Sequence, residues 1–293
     1  SITSGGNYNV TVGDEAGTAI TTGDNNVAVG YGALVANTTG TLNVAVGSLA
    51  LDANQTGSAS TAVGYGAGSA FTADGLTAFG KDALELCTTG INTAVGANAL
   101  ATVTNSGGNT AMGSDALTVN TAANNTAVGT SALRANTTGA NNTAVGFQAG
   151  LALTVGTENV VLGDRALTTD TKGSKSIAIG QGALNGQNFT SATDVYNTAV
   201  GAKAGLSVTT GVNNTLIGGL AGDAITDADE NVAVGMNALA TNTLGSSSVA
   251  IGHQALFNQN YTSATNAYNV AVGKNAGVAV TTGVANTLIG GLT

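Results

Sequence analysis

The chain has 293 residues and a formal net charge of -9, with 44 glycines, no proline and only 8% charged residues. Its seven basic residues are scattered singly, so we expect no surface that binds nucleic acid by neutralising phosphates. A single cysteine excludes a disulfide framework, and no apolar run approaches the ~20 residues of a membrane helix. High glycine without proline or a G-X-Y period also excludes collagen.

One short unit recurs along the chain, and the glycine that ends its "N-T-A-V-G" phrase marks each copy. Successive copies of this anchor glycine lie 17 residues apart in eleven of sixteen intervals, 16 apart in three and 21 apart in two. A fixed period of this length is typical of stacked repeat proteins. We therefore predict an all-β fold, a parallel β-solenoid of about 17 coils of 16–17 residues, two of them with four-residue insertions. The anchor glycines are Gly13, Gly30, Gly47, Gly64, Gly80, Gly96, Gly113, Gly129, Gly146, Gly163, Gly180, Gly201, Gly218, Gly235, Gly252, Gly273 and Gly290.

The residues before each anchor glycine predict a short strand. In the copy that ends at Gly30, Val27 and Val29 share one strand face because side chains alternate, and Asn26 and Ala28 share the other. We expect the bulky face to fill the inside of the coil. The small face, or the Leu34 that follows it, would then pack against another surface. Asn holds its column in thirteen of seventeen copies, which predicts a ladder of side-chain amides.

Two glycine positions predict turns. The anchor glycine indicates either a turn or a close backbone approach. The "T-T-G" phrase, as at residues 38–40, predicts a second turn in which Gly and Asn supply unusual backbone angles. There is no linker and no shift in composition. We interpret residues 1–293 as one repeat domain, a segment of a longer fibrous protein.

Two insertions interrupt the array. Residues 188–196 read "NFTSATDVY" and residues 260–268 read "NYTSATNAY", 72 positions later. Four extra residues exceed the length of a regular coil, so these loops are predicted to project. Projecting aromatic loops on a rigid scaffold often bind ligands. The alternative is that the aromatic rings fold back to cap the loop's own core. The candidate ligand-binding residues are Asn188, Phe189, Tyr196, Asn260, Tyr261 and Tyr268.

Catalytic and metal-binding patterns are weak. His253 is the only histidine and is expected to be an exposed loop residue, and Cys87 is expected to be a small filler. The densest carboxylate group, within residues 223–230, lacks the glycine and the distal glutamate of a calcium loop. We therefore predict that the protein is not an enzyme and needs no metal or cofactor.

Phrases such as "NNTAVGFQAG" (141–150) and "NVAVGYGALVANTTG" (26–40) resemble the head repeats of trimeric autotransporter adhesins. They resemble equally the repeats of bacteriophage tail fibres and related virion appendages. The resemblance covers the whole chain, although adhesin head units are usually shorter than the seventeen residues here. It implies a left-handed parallel β-roll, a homotrimer with three chains side by side, and an extracellular place on a virion or bacterial surface.

Three functions follow as hypotheses. The first is a structural fibre or shaft of a virion appendage, similar to a phage tail fibre, that serves host attachment. The second is the head of a bacterial cell-surface trimeric adhesin that binds host matrix or glycans. Both imply a homotrimer, a surface receptor or glycan as partner, and no direct membrane insertion. The third is an ice-binding solenoid, because Thr recurs in register at Thr93, Thr110, Thr126 and Thr143, although the row alternates with Val and Ile and a buried-looking column.

Overall fold

The computed structural model describes residues 6–292. Within that range the regular elements are β-strands joined by turns, and no helix occurs. The chain divides into two compact units, one ending at Asn141 and the other beginning at Asn142. Each unit is a parallel β-solenoid, which confirms the all-β solenoid prediction. The single domain, the left-handed coil and the trimer stay predictions.

In the first unit, each coil contributes a three-residue strand that ends just before its anchor glycine. Neighbouring strands pair in parallel without offset, so that Val27 lies opposite Val44 and Ala28 opposite Ala45. This register places equivalent residues of successive coils one strand spacing, ~4.8 Å, apart. The strands are β1 Val10–Val12, β2 Val27–Val29, β3 Val44–Val46, β4 Thr61–Val63, β5 Thr77–Phe79, β6 Thr93–Val95, β7 Thr110–Met112 and β8 Thr126–Val128.

The second unit repeats this arrangement and adds four short strands at the insertions. Its main strands also pair in parallel and in register, as Val232 does with Val249. They are β9 Thr143–Val145, β10 Val160–Leu162, β12 Ile177–Ile179, β14 Thr198–Val200, β15 Thr215–Ile217, β16 Val232–Val234, β18 Val249–Ile251, β20 Val270–Val272 and β21 Thr287–Ile289. The short strands are β11 Gly173–Ser174, β13 Thr193–Asp194, β17 Gly245–Ser246 and β19 Thr265–Asn266.

The small face of each strand lines the inside of the coil, and the bulky face points outward. Ala28 is fully buried, whereas its neighbours Val27 and Val29 are partly exposed. The prediction that the bulky face fills the coil was wrong. The interior of a seventeen-residue coil is narrow, and buried side chains from the turns, such as Leu34 and Asn26, already occupy it. Alanine is therefore the usual residue at the centre of the strand, although Val161 and Leu216 are also fully buried at this position.

One space in the core of each coil is filled from either of two sequence positions. Leu34, four residues after its anchor, is buried with a φ of 50°, and the buried residue three further on is polar, Asn37. In other coils the fourth position is glycine and the later one is large and apolar, as with Gly222 and Ile225. A Cβ on Gly222 would lie 2.8 Å from Cδ1 of Ile225. The two side chains therefore compete for the same space, and most coils have a large apolar residue at only one of the two positions. The apolar residues of the glycine coils are Ile20, Phe71, Leu153, Val208, Ile225 and Val280.

Two leucine coils depart from this rule, because Cys87 and Val103 replace the polar residue of the later position. Cys87 is fully buried, which confirms its prediction as a small filler, and burial raises the pKa of its thiol. A raised pKa disfavours the nucleophilic thiolate. His253, predicted to be exposed, is only partly so, and its Nδ1 is buried.

The asparagine column forms the predicted ladder. Oδ1 of Asn26 accepts the backbone N–H of Asn43 at 3.0 Å, and Nδ2 of Asn43 donates to the carbonyl of Gly57 at 2.8 Å. Where serine replaces asparagine, the N–H of Ser60 still donates to Oδ1 of Asn43 at 3.0 Å. The buried ladder amides of Asn26 and Asn43 are thus satisfied by the neighbouring coil. Such a bond contributes about 1 kcal/mol, and leaving a buried polar group unpaired costs about 1–3 kcal/mol.

The two glycine positions are required for different reasons. Anchor Gly163 has a φ of 135°, and a Cβ there would lie 2.6 Å from the carbonyl carbon of Gly180 in the next coil. It is therefore both a turn residue and a close backbone approach. At Gly40, in a "T-T-G" phrase, φ is not positive, but a Cβ would collide with the carbonyl oxygen of Gly57. The prediction that this glycine supplies an unusual backbone angle was wrong. The left-handed residue is Leu42, with a φ of 62°.

The shared core space predicts a compensated swap. Leu34→Gly should destabilise the protein by about 2–5 kcal/mol, partly offset because glycine tolerates the positive φ. Asn37→Ile alone should also destabilise it, because both side chains would then enter one space. The double variant should recover most of the loss, as measured by urea unfolding. A double variant no more stable than Leu34→Gly would contradict the shared space.

Candidate functional site

The two insertions are built as short strands that pair with the coil before them. In the first insertion loop, residues 188–196, Thr193 pairs with Gly173 and Asp194 with Ser174. In the second insertion loop, residues 260–268, the pairing of β19 with β17 is the same. The extra residues are therefore anchored on one side. Residues 190–192 and 262–264 form exposed tips.

Phe189 and Tyr261 turn inward. Each of the two residues is only 6% exposed, and Val195 and Ala267 of the same loops are also buried. The hydroxyl of Tyr261 donates to the carbonyl of Gly283 at 2.7 Å and accepts a hydrogen bond from Asn269 at 3.2 Å. Burial raises the pKa of Tyr261, while the bond from Asn269 acts in the opposite direction. These two rings hold the loops to the core, as the fold-back alternative expects for them.

Asn188 and Asn260 are exposed residues whose side chains bond to the preceding coil. Oδ1 of Asn188 accepts a hydrogen bond from Oγ1 of Thr171 at 3.2 Å. Oδ1 of Asn260 accepts one from Oγ1 of Thr243 at 2.7 Å. These side-chain carbonyl oxygens fix the start of each insertion loop. A role in ligand contact for these asparagines stays a prediction.

Tyr196 and Tyr268 point outward. Tyr196 is 53% exposed and Tyr268 59% exposed, and both have a φ in the left-handed region, 54° and 50°. A left-handed φ is unusual for a bulky residue and marks a sharp turn. Of the six candidate residues, these two therefore offer aromatic surface to solvent.

A charged cluster holds Tyr196 in place. Nζ of Lys175 lies 2.6 Å from Oδ2 of Asp194 and donates to the hydroxyl of Tyr196 at 3.1 Å. The same Nζ lies 5.1 Å from the centre of the tyrosine ring. The hydrogen bonds to Asp194 and Tyr196 raise the pKa of Lys175, so it stays charged. An exposed pair of this kind adds little stability, but it restricts the ring orientation.

The buried carboxylate of Asp170 fixes the base of the first loop. Its Oδ1 accepts the backbone N–H groups of Gly173 and Phe189, each at 3.1 Å. Its Oδ2 accepts Nε2 of Gln187 at 2.6 Å. Sequence reasoning missed this residue. The available signal was its place, seven residues after an anchor glycine, where no other coil carries a charged residue and the coils on either side carry Leu153 and Gln187.

Gln187 and Gln259 repair the amide ladder at the insertions. In these two coils the ladder asparagine is replaced by Ser176 and Ser248. Nε2 of Gln187 donates to Oγ of Ser176 at 3.1 Å, and its Oε1 accepts Nδ2 of Asn197 at 3.0 Å. Gln259 makes the same two bonds, at 3.2 and 2.8 Å. Sequence reasoning also missed these glutamines. They could have been found because each follows, by eleven residues, a serine that replaces a ladder asparagine.

The duplicated loops differ in charge. Asp170, Lys175 and Asp194 of the first loop region correspond, 72 positions later, to Asn242, Ser247 and Asn266. The first loop is therefore held by ionic contacts, and the second by neutral hydrogen bonds. In the second, Oδ1 of Asn242 still accepts the N–H of Gly245 at 3.1 Å.

The described residues contain neither a group of three or more His, Cys, Asp and Glu side chains placed to hold a metal ion, nor a helix long and apolar enough to cross a bilayer. No protein-family model matches the sequence, and the search of curated proteins found no match.

Replacing the carboxylate of Asp170 should release the first insertion loop alone. In Asp170→Ala the buried N–H groups of Gly173 and Phe189 lose their acceptor, at about 1–3 kcal/mol each. Hydrogen exchange at these amides should become faster, while the second loop serves as an internal control. Asp170→Asn, which copies Asn242, should leave exchange nearly unchanged. Equal exchange in the Ala variant and the original protein would refute the role of Asp170.

Proposed function

We propose that this chain is a structural segment of an extracellular fibre that associates with copies of itself and carries attachment loops. The observation on which this depends is the outward sheet face, formed by the first and third residues of every main strand. These positions hold Val, Thr, Ile, Leu, Phe or Met throughout both units. Neither charged residues nor asparagine interrupt this face.

The outward sheet face is only half covered within the chain. Phe79, Val95 and Met112, which follow one another in the first unit, are 40%, 37% and 45% exposed. Parallel sheets are normally covered on both faces. An uncharged, extended apolar face of this kind usually marks an interface. The surface therefore favours a partner that removes it from water.

Another copy of the same chain is the partner that best suits this face. The rows repeat at the strand spacing of ~4.8 Å, and an identical chain presents rows with the same repeat. Side chains of two such faces can interdigitate over many coils without a change of register. The resemblance to trimeric appendages supports three copies around one axis, in agreement with the closed symmetry of most oligomers.

Stacked coils with exposed loops suit a virion appendage similar to a phage tail fibre. The repeats of each unit supply a regular scaffold, and the two insertion loops supply surface for host attachment. The head of a bacterial surface adhesin that binds host matrix or glycans is the alternative. The reading frame and its gene neighbourhood distinguish them: virion structural genes support the appendage, and a membrane-barrel segment in the same frame supports the adhesin.

A charge on the outward sheet face should prevent self-association. Val95→Lys would place an ammonium group between Phe79 and Met112, and its burial against a second apolar face is unfavourable. Light scattering should show a multiple of 28.1 kDa for the original protein and 28.1 kDa for the variant. Leu86→Lys, at a 47% exposed position of the same unit outside this face, is the matched control. A monomeric original protein, or an unchanged mass in Val95→Lys, would contradict the proposal.

Ice binding is the other candidate function, and one observation favours it. Thr93, Thr110 and Thr126 lie on the outward sheet face and not inside the coil, so hydroxyls and methyl groups form a regular row. Self-association would cover the same row, so the two functions exclude each other. We expect no thermal hysteresis from the associated protein. Hysteresis that persists in the original protein and is lost in Thr110→Lys would favour ice binding instead.

A further inference from the structure

Tyr196 and Tyr268 occupy the same corner of the coil in the second unit. Both lie five residues before an anchor glycine, as do the three residues between them in this column, Asn213, Glu230 and Ser247. Four coil steps of ~4.8 Å place the two tyrosines ~19 Å apart along the stack. Two exposed aromatic rings therefore lie at the ends of a short corner surface on one rigid solenoid.

The surface between the tyrosines is polar and carries no positive charge. Asn213 and Glu230 are exposed, and Oγ of Ser247 donates to the carboxylate of Glu230 at 3.2 Å. Amide, carboxylate and hydroxyl groups donate and accept hydrogen bonds. Lys175 lies beyond Tyr196, one coil before it, and is already bonded to Asp194. An anionic chain would meet Glu230 and a protein of net charge -9.

The backbone of this corner is not free to pair with an added strand. The N–H of Asn213 donates to the carbonyl of Val195 at 2.9 Å, and the N–H of Glu230 donates to Val212 at 3.0 Å. Recognition of a peptide as an extra strand needs such groups unpaired. A sugar chain needs only aromatic faces and polar side chains, which this corner has.

We propose that Tyr196 and Tyr268 are two stacking platforms that bind one extended, uncharged oligosaccharide along this corner. The apolar C–H face of a sugar ring rests on each tyrosine, and its hydroxyls bond to Asn213, Glu230 and Ser247. The cluster of Lys175 and Asp194 holds the first ring in its binding orientation. This inference rests on the proposed function of the insertion loops in attachment and names the class of their ligand.

The test is binding of the full chain to an array of immobilised oligosaccharides, both neutral and sialylated and of increasing length, with a basic peptide as a further probe. We expect retention by neutral chains long enough to reach both rings. Tyr196→Ala and Tyr268→Ala should each weaken it about ten-fold, the range expected for a lost aromatic contact. Tyr268→Phe should keep binding, because the ring face is the contact. Tyr31→Ala, at a 51% exposed tyrosine of the first unit, is the matched control.

Three results would each overturn the inference. These are no retention by any neutral oligosaccharide, a preference for sialylated chains or the peptide, and unchanged binding when both Tyr196 and Tyr268 are replaced by alanine. Circular dichroism checks that every variant is folded. Light scattering on the same samples separates this result from the proposed fibre function. A multimer that binds no neutral sugar refutes the ligand class alone, whereas a monomer refutes the self-associating fibre.

Discussion

The close stacking of successive coils is the constraint on which the rest of the structure depends. At each anchor glycine the next coil approaches so closely that a Cβ would overlap its backbone, as Gly163 shows against Gly180. The same proximity aligns the strands in register and brings each ladder asparagine within reach of its successor. Backbone hydrogen bonds, turn geometry and the amide ladder therefore depend on one another. A side chain at one anchor glycine would disturb all three.

The narrow coil that results has little room for a core. Most strand centres hold alanine, and one larger space is filled by a leucine such as Leu34 or by a later residue such as Ile225. The bulky side chains of the strands are consequently left outside, on a face without charge. The stability of a coil and the proposed association between chains have the same origin, because bulky residues excluded from the interior are more stable when another surface covers them. The proposal of a self-associating fibre segment follows from this separation of small buried side chains from bulky outward ones.

The insertions show how the array tolerates change. Four extra residues fit because each loop forms a short strand against the preceding coil, and because Phe189 or Tyr261 enters the core. The broken amide ladder is reconnected by Gln187 and Gln259. These internal devices leave Tyr196 and Tyr268 outside. A loop with buried supports and an exposed ring is suited to recognition, because the scaffold fixes the position of the ring.

The sequence by itself determined the repeat, the strand positions, the amide ladder and the duplicated loops, because each depends on spacing along the chain. It did not determine which strand face is buried. Alternation places Val27 and Val29 opposite Ala28, but it cannot measure the width of the coil, which depends on side chains from the turns. From the sequence alone, Phe189 and Tyr196 were equivalent candidates for ligand contact, although Phe189 is buried and Tyr196 is exposed. Only the tertiary structure decided these points, because burial depends on the space that neighbouring coils leave, and that space is a property of the stack.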